Sequence, residues 1–373
     1  MSGIYIHIPF CKQACHYCNF HFSTSLHYRE ELVQAIAGEM AMAATSDFIE
    51  RAPVQTVYFG GGTPSLLPAA DIDFLLKKVR ECYPLATDAE ITLEANPDDL
   101  NSEKLEAWKL SGINRLSIGV QSFFESDLLW MNRAHNAAQA RSGLELALQY
   151  FNNITMDLIY GVPGLNNERW KQNVVTALEA GVPHLSCYAL TVEPRTPLDK
   201  MVRKHIKEDV SGEVQSEQFL LLMDWLQAAG YEHYEISNFA KPGFRSRHNS
   251  AYWKGTPYYG FGPAAHSYNQ VIRRWNVANN QQYIRAINSG HIPYEEEVLT
   301  PAQQQNEYVM IALRTSEGIK LKQLDGPAKQ RILEQAGIYA ERGLLIIDET
   351  GIRLTREGKL FADGIAADLF VTA

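Results

Sequence analysis

Residues 5–18 read Tyr-Ile-His-Ile-Pro-Phe-Cys-Lys-Gln-Ala-Cys-His-Tyr-Cys. The first six are β-rich and predict a strand, so Cys11, Cys15 and Cys18 fall in the loop that leaves its C-terminal end. The same unit, a short β-rich run followed by a helix-like stretch, recurs at 54–59, 90–95, 115–120, 154–160 and 184–190, which makes six βα units. Between them, segments such as 69–82 and 166–181 return apolar residues every three to four positions, and the second ends at Gly181, a helix-stop signal. Strands alternating with helices of this length imply an α/β fold with parallel pairing through right-handed crossovers, as an open sheet or a partial barrel. In either case the strand C-termini form the site.

Beyond residue 195 the alternation stops. Residues 230–275 are dense in Tyr, Trp, Phe, His and Gly and read as an irregular, site-covering segment. From about 300 the pattern is helical, residues 344–355 read as a hairpin turning at Glu-Thr-Gly, and a helical tail follows. The expected division is 1–195 for the repeat domain, 196–298 for the aromatic-rich segment and 299–373 for a small α+β domain resembling a winged helix. That last domain has no basic face, so covering or interaction is expected of it rather than DNA binding.

Composition narrows the functional classes. A formal charge of −9 without a basic tract argues against nucleic acid as partner, because that binding requires clustered Lys and Arg. The N-terminal residues lack the basic start and apolar stretch of a secretory signal, and no apolar run has membrane-spanning length, so a cytoplasmic location is expected. Of five cysteines, three lie within eight residues while Cys82 and Cys187 stand alone, a poor pattern for a disulfide framework.

Three thiolates suit a four-iron cluster with one iron left open to a small molecule. A zinc site would need a fourth ligand, for which His7, His16 and His21 are candidates, and buried thiols are a third reading. The pattern C-x3-C-x2-C after a first strand resembles the signature of the radical S-adenosylmethionine (SAM) superfamily. Further matches are Tyr-Ile-His-Ile-Pro-Phe-Cys at 5–11, Gly-Gly-Gly-Thr-Pro at 60–64, Leu-Glu-Ala-Asn-Pro at 93–97, Ile-Gly-Val-Gln-Ser-Phe at 118–123 and Asp-Leu-Ile-Tyr-Gly-Val-Pro-Gly at 157–164. These resemble the branch that contains oxygen-independent coproporphyrinogen III oxidases and HemW-type haem chaperones. The resemblance spans nearly the whole chain and implies a partial (β/α)6 barrel, a [4Fe-4S] cluster on Cys11, Cys15 and Cys18, and SAM.

From the residues alone, the glycines at 60–62 are turn chemistry that lets a ligand approach the backbone. Glu94, Gln121 and Asp157 are polar residues in apolar strands, able to cap helices or to bind. The resemblance implies that Gly61, Gly62 and Thr63 contact the methionyl end of SAM. It further implies that Glu94, Gln121 and Asp157, with Arg133, hold its ribose and carboxylate, and that Tyr5, Tyr17 and Ala189 lie beside the cofactor. The superfamily's chemistry is electron transfer from the cluster into the sulfonium, giving methionine and a 5′-deoxyadenosyl radical.

Two features separate the chain from the oxidases. Asn19 and Phe20 follow Cys18 where the oxidases carry a further cysteine, and Cys11 stands almost at the N-terminus. Conversely, His248-Asn249-Ser250-Ala251-Tyr252-Trp253 matches the H-N-x-x-Y-W haem-associated motif of the HemW group. An imidazole is a natural axial ligand for haem, although a histidine beside Tyr and Trp is by itself more often a hydrogen-bonded structural one. His205, His233 and His266 are alternatives. Three functions stay open: a haem chaperone that delivers to an acceptor protein such as a respiratory haemoprotein, with peripheral membrane contact through that acceptor; a coproporphyrinogen III decarboxylase; and a SAM enzyme on another substrate.

Overall fold

The computed structural model describes residues 2–49, 52–324 and 326–371. Six strands, β1 (Ser2–Ile8), β2 (Val54–Gly61), β3 (Leu85–Ala95), β4 (Arg115–Gln121), β5 (Ile154–Tyr160) and β6 (His184–Ala189), pair in parallel and in sequence order. Helices α1 (Arg29–Ala43), α2 (Ala69–Cys82), α3 (Ser102–Ser111), α4 (Glu125–Met131), α5 (Ala137–Tyr150) and α6 (Asn167–Glu179) make the crossovers. Local chemistry sets their ends. Asn101, Asn136 and Asn166 cap α3, α5 and α6, and Gly181 takes φ +74° just after α6. The first strand ends before Pro9, earlier than its sequence suggests, because proline has no N–H for the ladder.

Period-two alternation explains what each face does. Ile4, Ile6, Val57, Phe59, Leu93, Leu116, Ile118, Met156, Leu158 and Leu185 belong to the main core under the helices. The alternate residues, among them Tyr58, Thr92, Glu94, Ser117, Asp157, Ser186 and Tyr188, line a polar cavity on the concave face. A closed (β/α)8 barrel fills that space with branched apolar layers, whereas this sheet reserves it for polar groups.

The stretch after 195 is more regular than its composition suggests. After α7 (Pro197–Arg203) and α8 (Gly212–Ala228) come the short strands β7 (Glu232–Glu235) and β8 (Asn238–Ala240), and β8 joins β6 antiparallel. Helix α9 (Arg247–Trp253) precedes β9 (Tyr258–Phe261), which pairs parallel with β1 on its free side. Strands β10 (His266–Tyr268), β11 (Ile272–Asn276) and, after α10 (Asn280–Asn288), β12 (Tyr294–Val298) continue that edge antiparallel. The result is a linear twelve-stranded sheet that does not close on itself. Its aromatic residues are strand residues in runs of three to five, too short for a two-residue period to be seen against the intervening Gly and Pro.

A second, smaller core gathers Val309, Leu313, Ile332, Ile352 and Ile365. It is built from α11 (Pro301–Leu313), β13 (Ile319–Lys320), α12 (Gly326–Glu341), β14 (Leu345–Ile347), β15 (Gly351–Leu354) and α13 (Ala362–Asp368), with the three strands in the order β13-β15-β14. The hairpin at 348–350 closes as an Asx turn, Asp348 Oδ1 accepting the N–H groups of Thr350 and Gly351.

Gly260 marks a backbone crossing that no side chain can enter: an ideal Cβ would lie 1.9 Å from the His266 carbonyl oxygen. Gly260→Ala is therefore expected to cost about 1–3 kcal/mol, seen as a lower melting temperature. Gly364→Ala, at a helical position open to space, should be neutral or raise it slightly.

Candidate functional site

Beyond Pro9 the chain enters the cysteine loop, and the loop is tied down along its length. Ser23 N donates to Pro9 O at 2.8 Å and Cys11 N to Ser23 O at 3.0 Å, closing its base. His16 N reaches Met131 O at 3.1 Å, Leu198 N reaches His16 O at 2.8 Å, and Asn132 Nδ2 holds Ala14 O at 2.7 Å. Lys12 Nζ meets Asp98 Oδ2 at 2.6 Å and also pairs with Asp99. Asp99 in turn takes the Ser65 hydroxyl at 2.6 Å, so one buried carboxylate joins the cysteine loop to the turn after β2.

All three thiols are free. Desolvation pushes the Cys11 thiol up to about 11 and raises Cys18 as well, so both stay protonated until a cation displaces the protons. Each histidine offered as a fourth zinc ligand has a ring nitrogen engaged elsewhere. His7 Nε2 is bonded to His21 O, His16 Nδ1 to Trp130 O and Lys207, and His21 Nε2 to Asn280. Among the described residues no group of three His, Cys, Asp or Glu side chains, the three cysteines included, is already gathered around one point.

The Gly-Gly-Gly-Thr turn presses against the loop, and its three glycines differ in purpose. A Cβ on Gly62 would stand 2.6 Å from Phe10 O and 3.0 Å from Cys11 Sγ. Gly61 has φ +109°, and its Cβ would meet the His7 ring at 2.6 Å. Gly60, to which the sequence assigned nothing beyond the turn, leaves room for Tyr5, Tyr58 and Glu94. Thr63 Oγ1 donates to Cys11 Sγ at 3.6 Å.

Arg133 arrives through Asn132, which ends α4 in the left-handed region at φ +59°. Its Nη1 donates to Cys15 Sγ at 3.3 Å and Tyr17 Oη at 3.5 Å, while Nη2 donates to Asn96 Oδ1 at 2.7 Å and Gly119 O at 2.9 Å. Among the described residues, Arg133 Nε is buried without a partner. So is Oε1 of Gln121, a non-glycine residue held at φ +65°. An unpaired nitrogen on the guanidinium that touches Cys15, with an unpaired amide oxygen beyond Gly119, is what a ligand with both a carboxylate and hydroxyl or amino donors would satisfy. The residues therefore fit a three-thiolate cluster with SAM on its open side.

Deeper on the concave face, Glu94 accepts from Tyr58 Oη at 2.8 Å and from Gly61 N at 3.2 Å. Asp157 takes the Ser117 hydroxyl at 3.4 Å. Burial lifts Glu94 to about 7 and Asp157 to about 6. Tyr5 bonds His7 Nδ1 at 3.2 Å and stacks on Tyr58. Ala189 ends β6 opposite Tyr160 and offers this edge its backbone. Cys187 is buried in the same strand under the helices, and Cys82 ends α2.

His248 lies elsewhere. Its ring packs at the opposite, N-terminal mouth, where Nδ1 shares a hydrogen bond of 2.9 Å with Thr56 Oγ1 and the face stacks on Tyr58 at 4.9 Å. The backbone N–H groups of Arg247 and His248 sit on Glu90 at 3.0 and 2.9 Å. Burial lowers the imidazole to about 4, so it is neutral at pH 7, and among the described residues its Nε2 has no hydrogen-bond partner. Of the alternatives, His233 has both nitrogens engaged, by Ile236 O and Lys359, and His205 and His266 are exposed. Sequence reasoning missed Tyr58, Asn96 and the Lys12–Asp99 pair. Tyr58 was within reach, since it shares the inward period of Gly60 and Thr56 on β2.

The chain matches the model of the radical SAM superfamily over residues 5–177 and that of the HemN C-terminal domain over 299–361. It is 34% identical to the heme chaperone HemW of Bacillus subtilis (strain 168), with 98% of each chain covered. With HemW of Escherichia coli (strain K12) it shares 38% identity over 71% of this chain and 69% of that one. Among solved structures, coproporphyrinogen III oxidase (HemN) from Escherichia coli superposes with a TM-score of 0.84 at 25% identity, covering 99% of this chain and 90% of that one.

Two outcomes test the site as drawn. Gly62→Ala should leave the chain folded but reduce iron retained after anaerobic reconstitution by at least about half, since a backbone oxygen cannot yield to the added carbon. For Glu94, a raised folded pKa means that stability is lost as pH climbs from about 4.5 to about 7 and is level above that. Glu94→Gln should shrink the difference in melting temperature of the apo protein between pH 4.5 and pH 7.5 by roughly 2 °C or more.

Proposed function

This chain belongs to the HemW family within the radical SAM superfamily, and on that premise we propose that it is a cytoplasmic haem chaperone that receives haem and passes it to an acceptor protein. Cys11, Cys15 and Cys18 hold a [4Fe-4S] cluster. Gly61, Gly62, Thr63, Glu94, Gln121, Arg133 and Asp157 receive SAM, with Tyr5, Tyr17 and the backbone of Ala189 beside it. When bound, these two groups supply one-electron chemistry at the SAM sulfonium. The protein's own contribution is to clamp the loop through Lys12 and Asp99, offer Arg133 to a carboxylate and keep acceptors aimed at a diol.

Haem binds at the other mouth through His248. The observation that carries this reading is the state of that imidazole: neutral, with Nδ1 anchored on Thr56, Nε2 unengaged, and Tyr252 and Trp253 beside it on α9. Residues 1–195 act as the cofactor domain, 196–298 close the lower mouth and extend the sheet, and 299–373 form a covering domain suited to meeting the acceptor. Among the described residues no helix is long and apolar enough to cross a membrane, so an acceptor in a membrane, such as a respiratory haemoprotein, is met at the surface.

The overall likeness to the oxidase keeps coproporphyrinogen III as the competing substrate. Against it stands Phe20, which follows the cluster cysteines as a largely exposed apolar side chain. The two readings separate in one anaerobic preparation. Cys11→Ala, Cys15→Ala or Cys18→Ala should abolish the iron-sulfur absorption, and wild type should bind about one haem per chain. His248→Ala should weaken haem affinity about tenfold or change its axial-ligand spectrum while leaving iron content unaltered. Decarboxylation of coproporphyrinogen III by the reduced protein with SAM, at enzyme-like rates, would replace this reading with the oxidase.

A further inference from the structure

Three rings form a column down the concave face. Tyr5 stacks on Tyr58 with centroids 6.1 Å apart and planes at 24°, and Tyr58 stacks on His248 at 4.9 Å and 28°. The column exists because residue 60 has no side chain. An ideal Cβ there would lie 2.9 Å from Tyr5 Cε2, 2.9 Å from Tyr58 Cε1 and 3.1 Å from Glu94 Oε1. Tyr58 thus faces both mouths. Its ring covers the imidazole, and its hydroxyl donates to Glu94 Oε1 at 2.8 Å. The other oxygen of Glu94 takes Gly61 N at 3.2 Å, and two residues on, Thr63 touches Cys11 Sγ.

The element at the lower end is able to move. Helix α9 is seven residues long, and although the His248 ring is enclosed, no residue of the helix is buried as a whole. It is held inside by the Ser246 cap, by Glu90 under its first N–H groups, by the Thr56 bond and by the Tyr58 ring, and at the surface by Arg247 on Asp88 and Gln55, by Arg314 over the Trp253 ring and by Tyr252 against Tyr258. An element with so few buried contacts opens at low free-energy cost, and removing one of its holds shifts its population.

We infer that Tyr58 couples the two sites: SAM, by engaging Glu94 from above, competes with the tyrosine hydroxyl for that carboxylate, loosens the seat of His248 and strengthens haem binding at the lower mouth. This rests on the reading of Glu94 as a SAM acceptor and of His248 as the haem ligand. The coupling requires no contact between the two ligands, because both bias one small element that has a seated and a released arrangement. Linkage makes it reciprocal, so haem must tighten SAM by the same factor.

The test is a haem titration of the anaerobically reconstituted full chain, followed by absorption with and without SAM, and the converse SAM titration with and without haem. In wild type, SAM should tighten haem about fivefold or more, and haem should tighten SAM equally. Tyr58→Phe keeps the ring and removes the hydroxyl. It should bind haem without SAM about as tightly as wild type does with SAM, and respond little to SAM. Haem affinity that SAM does not strengthen in wild type, or an effect that survives intact in Tyr58→Phe, overturns the coupling. The reciprocal wild-type titrations decide the matter if the variant does not fold. Haem binding without SAM that is the same in His248→Ala as in wild type instead overturns the ligand assignment beneath it, and the coupling falls with it.

Discussion

A concave sheet face lined with two carboxylates, two tyrosines, several hydroxyls and an arginine is stable only if each polar group finds a partner, since an unsatisfied buried group costs on the order of 1–3 kcal/mol. That constraint organises the molecule. Glu94 is satisfied by Tyr58 and Gly61, Asp157 by Ser117, and Arg115 by Asn153 and Thr155. At the upper rim the pairing stops short: among the described residues Arg133 Nε, on the side chain that reaches Cys15, and Gln121 Oε1 are left unmatched. Other buried atoms without a partner among the described residues, such as Thr92 Oγ1 and Trp108 Nε1, lie elsewhere, but these two stand where a ligand with complementary donors and an anionic end can complete them.

The cysteine loop shows the same economy. Three thiolates around a multi-iron group repel one another until the metal is present, so the loop has to be held by contacts that do not involve the sulfurs. Backbone bonds to Ser23, Met131 and Leu198, the Asn132 amide and the Lys12 pair with Asp98 and Asp99 do this from four separate elements. The loop's conformation is therefore set by the surrounding elements without any metal.

Much of this was legible in the order of residues. The six parallel strands and their helices follow from recurring β-rich runs and from Asn and Gly at helix ends. The cysteines fall in the loop after β1 because Pro9 cannot continue the ladder. The strands after residue 230 were not legible, because runs such as His-Ser-Tyr gain their character from pairing rather than from pattern. Nor was the place of His248: the motif was plain, but α9 reaches the lower mouth only because Tyr258 pairs with Gly3 across the whole domain. Asn96 and Asp99 escaped for the same reason, their partners Arg133, Lys12 and Ser65 being distant in sequence.

The central claim is that one polar channel serves a cluster at its upper mouth and haem at its lower one. A strand of β1's length rises about 3.3 Å per residue, so the ends that carry Gly3, beside His248, and Cys11 stand on the order of 20 Å apart. Pulsed dipolar electron paramagnetic resonance between the reduced cluster and cobalt(II) protoporphyrin bound in place of haem measures this directly. A separation of about 20 Å is the result the account predicts. A porphyrin found within about 10 Å of the cluster would put the tetrapyrrole on the SAM side of the sheet and contradict it.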